Sequence, residues 1–467
     1  MSRPAQPRGQ RPPSRAQGVD SARLAAYRVL EAVGLQDAYA NLALPEALAR
    51  HRLEGRDAAF ATELAFGTLR MRGLLDAVIA SAAGREVARI DPQARDVLRL
   101  GAYQALCMRV PPHAAVATSV AMAHEVAPRA AGFVNAVLRR VAERELQDWI
   151  GAVAPDPAAD RLGYLSVAQS HPRWIVSALA QSLRRAPGGE AGLPDLLAID
   201  NTPAQVTLAV RPGLADAEQV RRQVGGLPGR WSPFAVRLAG GDPGAIAGVR
   251  GGTIGVQDEG SQLMVQALVA ADVPGRDDRW LDLCAGPGGK AALMAAIAAQ
   301  RGARLTALEL HEHRVRLVRS ALRRIPGEPV VEQADATKEG WRQASADRVL
   351  VDVPCTGLGV LRRRPESRWR RVPDDLAVLA PLQRALLNAA LDAVRPGGVV
   401  AYVTCSPHIA ETDLVVADVV RRRGDATVER AADLLPAVPD AADGDFVRLW
   451  PHVHDTDGMF LAVLRRQ

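Results

Sequence analysis

Residues 281–295 read LDLCAGPGGKAALMA: an apolar run, then a cluster of glycines, then an alanine-rich stretch. Few folds can use such a segment. A short apolar run breaking straight into Gly286, Pro287, Gly288 and Gly289 is a strand delivering the chain into a tight turn, and the alanines beyond it continue as a helix. Similar apolar runs follow at RLTALEL (304–310), ADRVLVDVP (346–354) and GGVVAYVTCS (397–406), with helical patterns between them. In HEHRVRLVRSALRRI, for example, Val315, Val318, Leu322 and Ile325 share one helical face. This alternation predicts a parallel sheet with helices on both sides. FVRLW (446–450) and GMFLAVLRR (458–466) add a terminal antiparallel pair.

The chain before residue 257 has a different rhythm. From 19 to 146 it is helical throughout: Phe60, Leu64, Met71, Leu75 and Val78 recur at helical spacing, as do Phe133, Val137, Leu138 and Val141. In RVPPHAAV (109–116), Pro111 and Pro112 end one helix and precede the next. Between 147 and 256 the signal weakens into short runs punctuated by Gly and Pro, such as AQVTLAVRP (204–212) and FAVRLAG (234–240), which predict a small mixed α/β module. Residues 1–18 carry four arginines, no acid and no apolar cluster, the composition of a disordered basic tail. The expected organisation is therefore a tail (1–18), a helical domain (19–146), a linker with a small module (147–256) and an α/β domain (257–467).

Composition narrows the partners and the compartment. A net charge of +6 and a pI near 9.5 fit a polyanion, but almost every basic residue is arginine, the lysines being Lys290 and Lys338. Such a skew reflects compositional bias as much as recognition, and it singles out the lysines. The four cysteines (107, 284, 355 and 405) are too scattered for a disulfide framework or a paired metal site, so a reducing, cytoplasmic setting with no metal is expected. No apolar run approaches the ~20 residues that span a bilayer, and none of signal-peptide type opens the chain, so membrane and secretion readings are set aside.

The chemistry-bearing residues gather at predicted strand ends. Gly286, Gly288 and Gly289 let a ligand approach the backbone, and the following helix N-terminus offers N–H groups to a carboxylate or phosphate. The turn matches neither G-x-G-x-x-G nor G-x-x-x-x-G-K-[ST]. Glu309, at the end of the next strand, is placed to accept ribose hydroxyls, and Asp335, ending the third, to reach the base edge. A nucleoside bearing a carboxylate and no phosphate fits this set, which points to S-adenosyl-L-methionine. Asp352 and Cys355 end the fourth strand, and Cys405, between Thr404 and Ser406, ends the fifth. Open α/β sheets bind ligands outside these ends, so both thiols and the acid face one crevice. Taken alone, a strand-end cysteine is a small hydrophobe. Two of them beside an acid suit methylation of a pyrimidine at carbon 5, where a thiolate adds to C6 to make C5 nucleophilic and is later expelled. Asp352, hydrogen-bonding to N3 and the 4-amino group, favours cytosine, and Lys290 can lower a thiol pKa. The residues by themselves leave open which thiol attacks.

LDLCAGPGGK, DVPCTGLGVLRRRPESRW and VTCS, in this order and spacing, resemble the RsmB (Fmu/Sun) family of ribosomal RNA cytosine-C5 methyltransferases. Upstream, GTLR (67–70), RVPPHAAVATSVAMA (109–123) and GFVNAVLRRV (132–141) resemble that family's NusB-like RNA-binding domain. The resemblance covers residues 20–467. It implies a multidomain fold: an all-α NusB-like N-terminal domain, a small mixed α/β module, and a C-terminal α/β Rossmann-like class I methyltransferase domain dependent on S-adenosyl-L-methionine. It implies donor contacts from Cys284, Ala285, Gly286, Pro287, Gly288, Gly289 and Lys290, and from Glu309, Asp335 and Asp352. It makes Cys405 the nucleophile, with Cys355 aiding product release and Asp352 and Lys290 beside them. It implies ribosomal RNA, 16S, as the substrate; a monomer is expected. The chain departs from the family pattern in having Glu309 for Asp, Ala-Gly-Pro for Ala-Ala-Pro, Val353 for Ala, and PHIAETD after Thr-Cys-Ser, where Glu411 is the surviving acid. Two alternatives carry different expectations: an RNA-binding assembly protein without catalysis, or the same methyl transfer on transfer RNA. The six arginines between 362 and 371 follow the crevice and are expected to include phosphate contacts.

Overall fold

Three helices of the N-terminal unit, which runs to Ser170, begin at a side-chain cap, those opening at Ser21, Pro92 and Arg161. Asp20 accepts from the Ala22 N–H at 2.7 Å ahead of helix Ser21–Leu35. Asp91 accepts from the Gln93 and Ala94 N–H groups, with Pro92 opening helix Pro92–Cys107. The computed structural model describes residues 19–186, 188–338 and 343–467, and the expected basic tail lies outside them. Leu64, Leu75 and Val78 are fully buried as their spacing predicts, but the face is divided at Met71 between helices Gly55–Arg70 and Arg72–Ala83. Glycine makes room for a neighbouring side chain here, since a Cβ on Gly67 would stand 2.0 Å from Tyr103 Oη. Pro112 occupies the first turn of helix Pro112–Val126.

Helix Leu146–Val153 brings Trp149 and Ile150 into this same core, and Tyr164, Val167 and Ala168 of helix Arg161–Ala168 pack against it. The unit thus continues past residue 146. What weakens there is helix length, because these eight-residue helices are too short to show several repeats of the pattern.

The second unit runs from His171 and contains two sheets. The smaller holds β1 (Thr207–Val210), β2 (Leu227–Pro228), β3 (Ala235–Arg237) and β4 (Ile254–Val256) in the order β2-β3-β1-β4, all antiparallel. Val220 of helix Ala217–Val224 packs against Leu208, Val210, Val236 and Ile254.

The larger sheet has nine strands: β5 (Arg279–Asp282), β6 (Arg304–Glu309), β7 (Val330–Gln333), β8 (Ala346–Asp352), β9 (Val394–Thr404), β10 (Ala426–Glu429), β11 (Ala442–Asp443), β12 (Phe446–Leu449) and β13 (Met459–Arg466). Its order is β11-β12-β13-β9-β8-β5-β6-β7, with β10 also on β13. The strands β7, β6, β5, β8 and β9 are parallel, so the order reverses direction between β5 and β8 and opens a crevice at their carboxyl ends. Helices Glu259–Ala270 and Gly289–Gln300 cover one face of the sheet, and Asp375–Ala393 and Asp413–Arg423 the other. This is the α/β Rossmann-like arrangement expected. The terminal pair is β12 and β13, yet β13 is internal: it runs antiparallel to β9 from Phe460 to Arg465, with β12 and β10 sharing its other edge. Among the described residues no helix is long and apolar enough to cross a membrane.

Candidate active site

The glycine turn is shaped by two carboxylates. Asp282 ends β5 with its side chain buried and accepts the Cys284 N–H at 3.1 Å. Burial, added to the neighbouring charges of Asp352 and Glu309, pushes Asp282 up to about 7, although the Cys284 N–H and Lys290 pull the other way. Burial and the same acids hold the Cys284 thiol well above its ordinary value. Glu309 ends β6 buried against the turn, and its Oε1 accepts the His311 N–H at 2.9 Å. A Cβ on Gly286 would stand 2.1 Å from Glu309 Oε2, so any larger residue there must displace the carboxylate. Gly288 has φ 113° and lies against Ala321. Helix Gly289–Gln300 then starts without a side-chain cap, leaving its first N–H groups toward the turn. This cradle fits a nucleoside whose ribose hydroxyls donate to Glu309 and whose carboxylate meets the helix N-terminus. Asp335, just beyond β7, bonds within its own loop: Thr337 N and Oγ1 donate to its Oδ1 at 3.0 and 2.6 Å, chiefly the hydroxyl holding it below the usual carboxylate range.

The strand ends that follow bring four more predicted residues together. Lys290 Nζ donates to Asp352 Oδ2 at 2.8 Å. Burial opposes the lysine charge, but Asp352 raises it above the ordinary lysine value. Beyond them, Cys355 Sγ and Cys405 Sγ lie 3.4 Å apart. The contact with Cys405, then burial, then Glu411 and Asp352 push the Cys355 thiol well above its usual range. Cys355 is thereby kept protonated, and its S–H can be donated to the Cys405 sulfur.

Behind the thiols lies a buried polar cluster of which the sequence indicated only Glu411. Glu411, fully buried, accepts from Thr356 N at 2.8 Å, from Thr356 Oγ1, and from Gln383 Nε2 at 3.0 Å. Gln383 Nε2 also donates to the Pro354 carbonyl at 2.9 Å. Gly359 N–H donates to the Cys405 carbonyl at 2.9 Å, and its own carbonyl accepts from Gly458 N–H at 2.7 Å. Glu411 was visible as an acid after Thr-Cys-Ser. Gln383, inside a long amphipathic helix, carried no such signal.

Three of the six arginines in the run are held by partners within the protein. Arg362 donates to Asp455 Oδ1 at 3.2 Å, and Arg363 bridges Asp258 at 2.6 Å and Asp457 at 2.8 Å. Arg368, fully buried, donates to Asn201 Oδ1 at 2.7 Å and the Asp200 carbonyl at 2.6 Å. These three fold the loop onto the protein instead of offering their charge to phosphate. A run of like charges reads as a binding surface only when its counter-ions are invisible, and these lie far off in sequence.

Comparison with known proteins places these features in context. A family model described as 16S rRNA methyltransferase RsmB/F matches residues 270–465, and a NusB family model matches residues 20–143. Rv1407 of Mycobacterium tuberculosis, which carries a methyltransferase name, is 52% identical over 96% of this chain and 97% of its own length. The ribosomal RNA small subunit methyltransferase B of Pseudomonas putida is 32% identical over 88% of this chain and 92% of its own. Among solved structures, that of PH0851 superposes with a TM-score of 0.78 at 23% identity, covering 96% of this chain and all of that one, a likeness of fold.

Proposed function

Because this chain belongs to the RsmB/F family of 16S rRNA methyltransferases, we propose that it transfers a methyl group from S-adenosyl-L-methionine to carbon 5 of a cytosine in 16S ribosomal RNA. The observation that carries this reading is the thiol pair, 3.4 Å apart, beside the Lys290–Asp352 pair at the ends of β8 and β9. The helical unit that matches the NusB family supplies RNA binding, and the target base is unstacked into the crevice.

The bound donor supplies an electrophilic methyl group. The turn Cys284–Lys290 receives it, with Glu309 accepting its ribose hydroxyls and Asp335 reaching its base, while Asp352 closes the same side. Cys405 attacks C6 of the cytosine as a thiolate. Asp352 accepts from the 4-amino group, and the proton shared with Lys290 across 2.8 Å is available for N3 as charge builds there. C5 is then an enamine carbon and nucleophilic. For release, the C6–S bond breaks as the C5 proton leaves. Cys355, held as a thiol, passes its proton to the departing Cys405 sulfur, and the Cys355 thiolate so formed takes up the C5 proton. N3 returns its proton to the Lys290–Asp352 pair as the adduct collapses, both thiols end protonated, and the C5–C6 double bond is restored.

The test is methyl transfer from labelled donor to unmodified ribosomal RNA, paired with trapping on 5-fluorocytosine RNA. Cys405→Ala abolishes the covalent adduct, and Cys355→Ala retains or accumulates it. The opposite pattern overturns the roles of the thiols, and absence of transfer to ribosomal RNA overturns the substrate.

A further inference from the structure

Three donated hydrogen bonds converge on the carboxylate of Glu411, from Thr356 N, Thr356 Oγ1 and Gln383 Nε2. Its backbone carbonyl is fixed too, accepting from Tyr402 Oη at 2.7 Å. A fully buried carboxylate is costly unless donors satisfy it, and this arrangement does so. Thr356 Oγ1 also lies 3.1 Å from Ser406 Oγ. The threonine hydroxyl has one proton, and that proton goes to Glu411. Ser406 must therefore donate in its bond with Thr356, while its own oxygen accepts from His408 N at 3.2 Å. The chain of bonds runs one way, Ser406 to Thr356 to Glu411.

Thr356 directly follows Cys355, and Ser406 directly follows Cys405. The string therefore ties the residue after one thiol to the residue after the other, with Glu411 as its anchor. Resting on the functional reading above, we propose that Glu411 is a positioning residue for the thiol pair: its carboxylate clamps the two strand ends together and sets the thiol spacing. The ionisable groups facing Cys355 are Cys405, Glu411, Asp352 and Tyr402, with Lys290 bonded to Asp352. Glu411 and Asp352 both add negative charge there, and only Glu411 is also bonded to the adjoining residue.

Glu411→Gln removes the charge and one acceptor while keeping the shape. In a Cys405→Ser background, the rate at which iodoacetamide alkylates Cys355, followed by peptide mass from about pH 6 to about pH 10, reads the thiol without any RNA. The inflection moves to lower pH in Glu411→Gln, and the alkylation rate below it rises about tenfold for every pH unit that it moves. In otherwise native protein, kcat for methyl transfer falls about tenfold or more while KM for donor and RNA stays within about twofold, since positioning acts after binding. Thr356→Val, which cuts the string, gives the same loss of kcat, and Thr356→Ser restores it. Should Glu411→Gln fail to fold, the two threonine variants decide the matter alone. An unchanged Cys355 profile together with wild-type kcat in Glu411→Gln and Thr356→Val overturns the clamp. If the native protein transfers no methyl group, the functional reading falls, and the alkylation profile still decides the role of Glu411.

Discussion

Replacing Gly286 by alanine tests the donor cradle with a single methyl group. Gly286 is not among the glycines at positive φ, so a left-handed backbone is not what excludes alanine. The obstacle is contact: the new Cβ would lie 2.1 Å from Glu309 Oε2 and 3.0 Å from Glu309 Cδ, against an ordinary separation of about 3.5 Å. The carboxylate must withdraw by more than about 1 Å, and it is the more movable partner because the turn is tied to β6 by the Ala285 N–H bond to the Leu308 carbonyl at 2.8 Å. Withdrawal removes one charged acceptor from the ribose hydroxyls, worth about 1.5–3 kcal/mol. That corresponds to a rise in donor Kd of roughly tenfold to 150-fold. Calorimetric titration with S-adenosylhomocysteine measures it, and the melting temperature of the ligand-free protein is expected to shift little. Gly288→Ala is the contrasting control. There φ is 113° and a Cβ would stand 2.7 Å from Ala321 Cβ, so stability falls as well as affinity. A Gly286→Ala protein that binds the donor within about twofold of the native Kd refutes the placement of Glu309.

Other consequences follow from buried charge. Asp282 titrates at about 7 in the folded chain and at about 3.9 when unfolded. Between those values the folded state holds the extra proton, so stability falls as pH rises through the window, by up to about 4 kcal/mol above it. Asp282→Asn keeps an acceptor for Cys284 N–H and removes that slope, raising Tm more at alkaline than at acid pH; parallel Tm profiles for the two proteins would falsify this. Arg363→Ala leaves Asp258 and Asp457 unpaired and costs roughly 3–5 kcal/mol, a fall in Tm of roughly 6–20 °C. The slope of RNA affinity against salt stays at its native value, whereas loss of a phosphate contact reduces it by about 1.

The strand-to-helix turn at Gly286, the acid at Glu309 and the two strand-end thiols are legible because each is local, fixed by a few neighbouring residues and by alternation with a period the chain displays. Long-range partners leave no such trace. The pairing of Arg363 with Asp258 and Asp457, or of Gln383 with Glu411, joins residues whose meeting depends on the finished sheet. The helices at Leu146–Val153 and Arg161–Ala168 escape a reading by period for another reason. Each is about two turns long, with two buried residues apiece, Trp149 and Ile150 in the first and Gly163 and Leu165 in the second, too few to repeat a period.

The internal position of β13 bears on the order in which the molecule assembles. Residues 459–466 are synthesised after every other strand of the sheet, yet they lie against β9 along most of its length. Until they arrive, β9 presents an open edge, the kind of surface on which nascent chains stick to one another. Gly458, at the entrance to β13, holds the Gly359 carbonyl, while the Gly359 N–H holds the Cys405 carbonyl. The loop that seats Cys355 against Cys405 is thus tied at its far side to the entrance of the strand that closes the sheet.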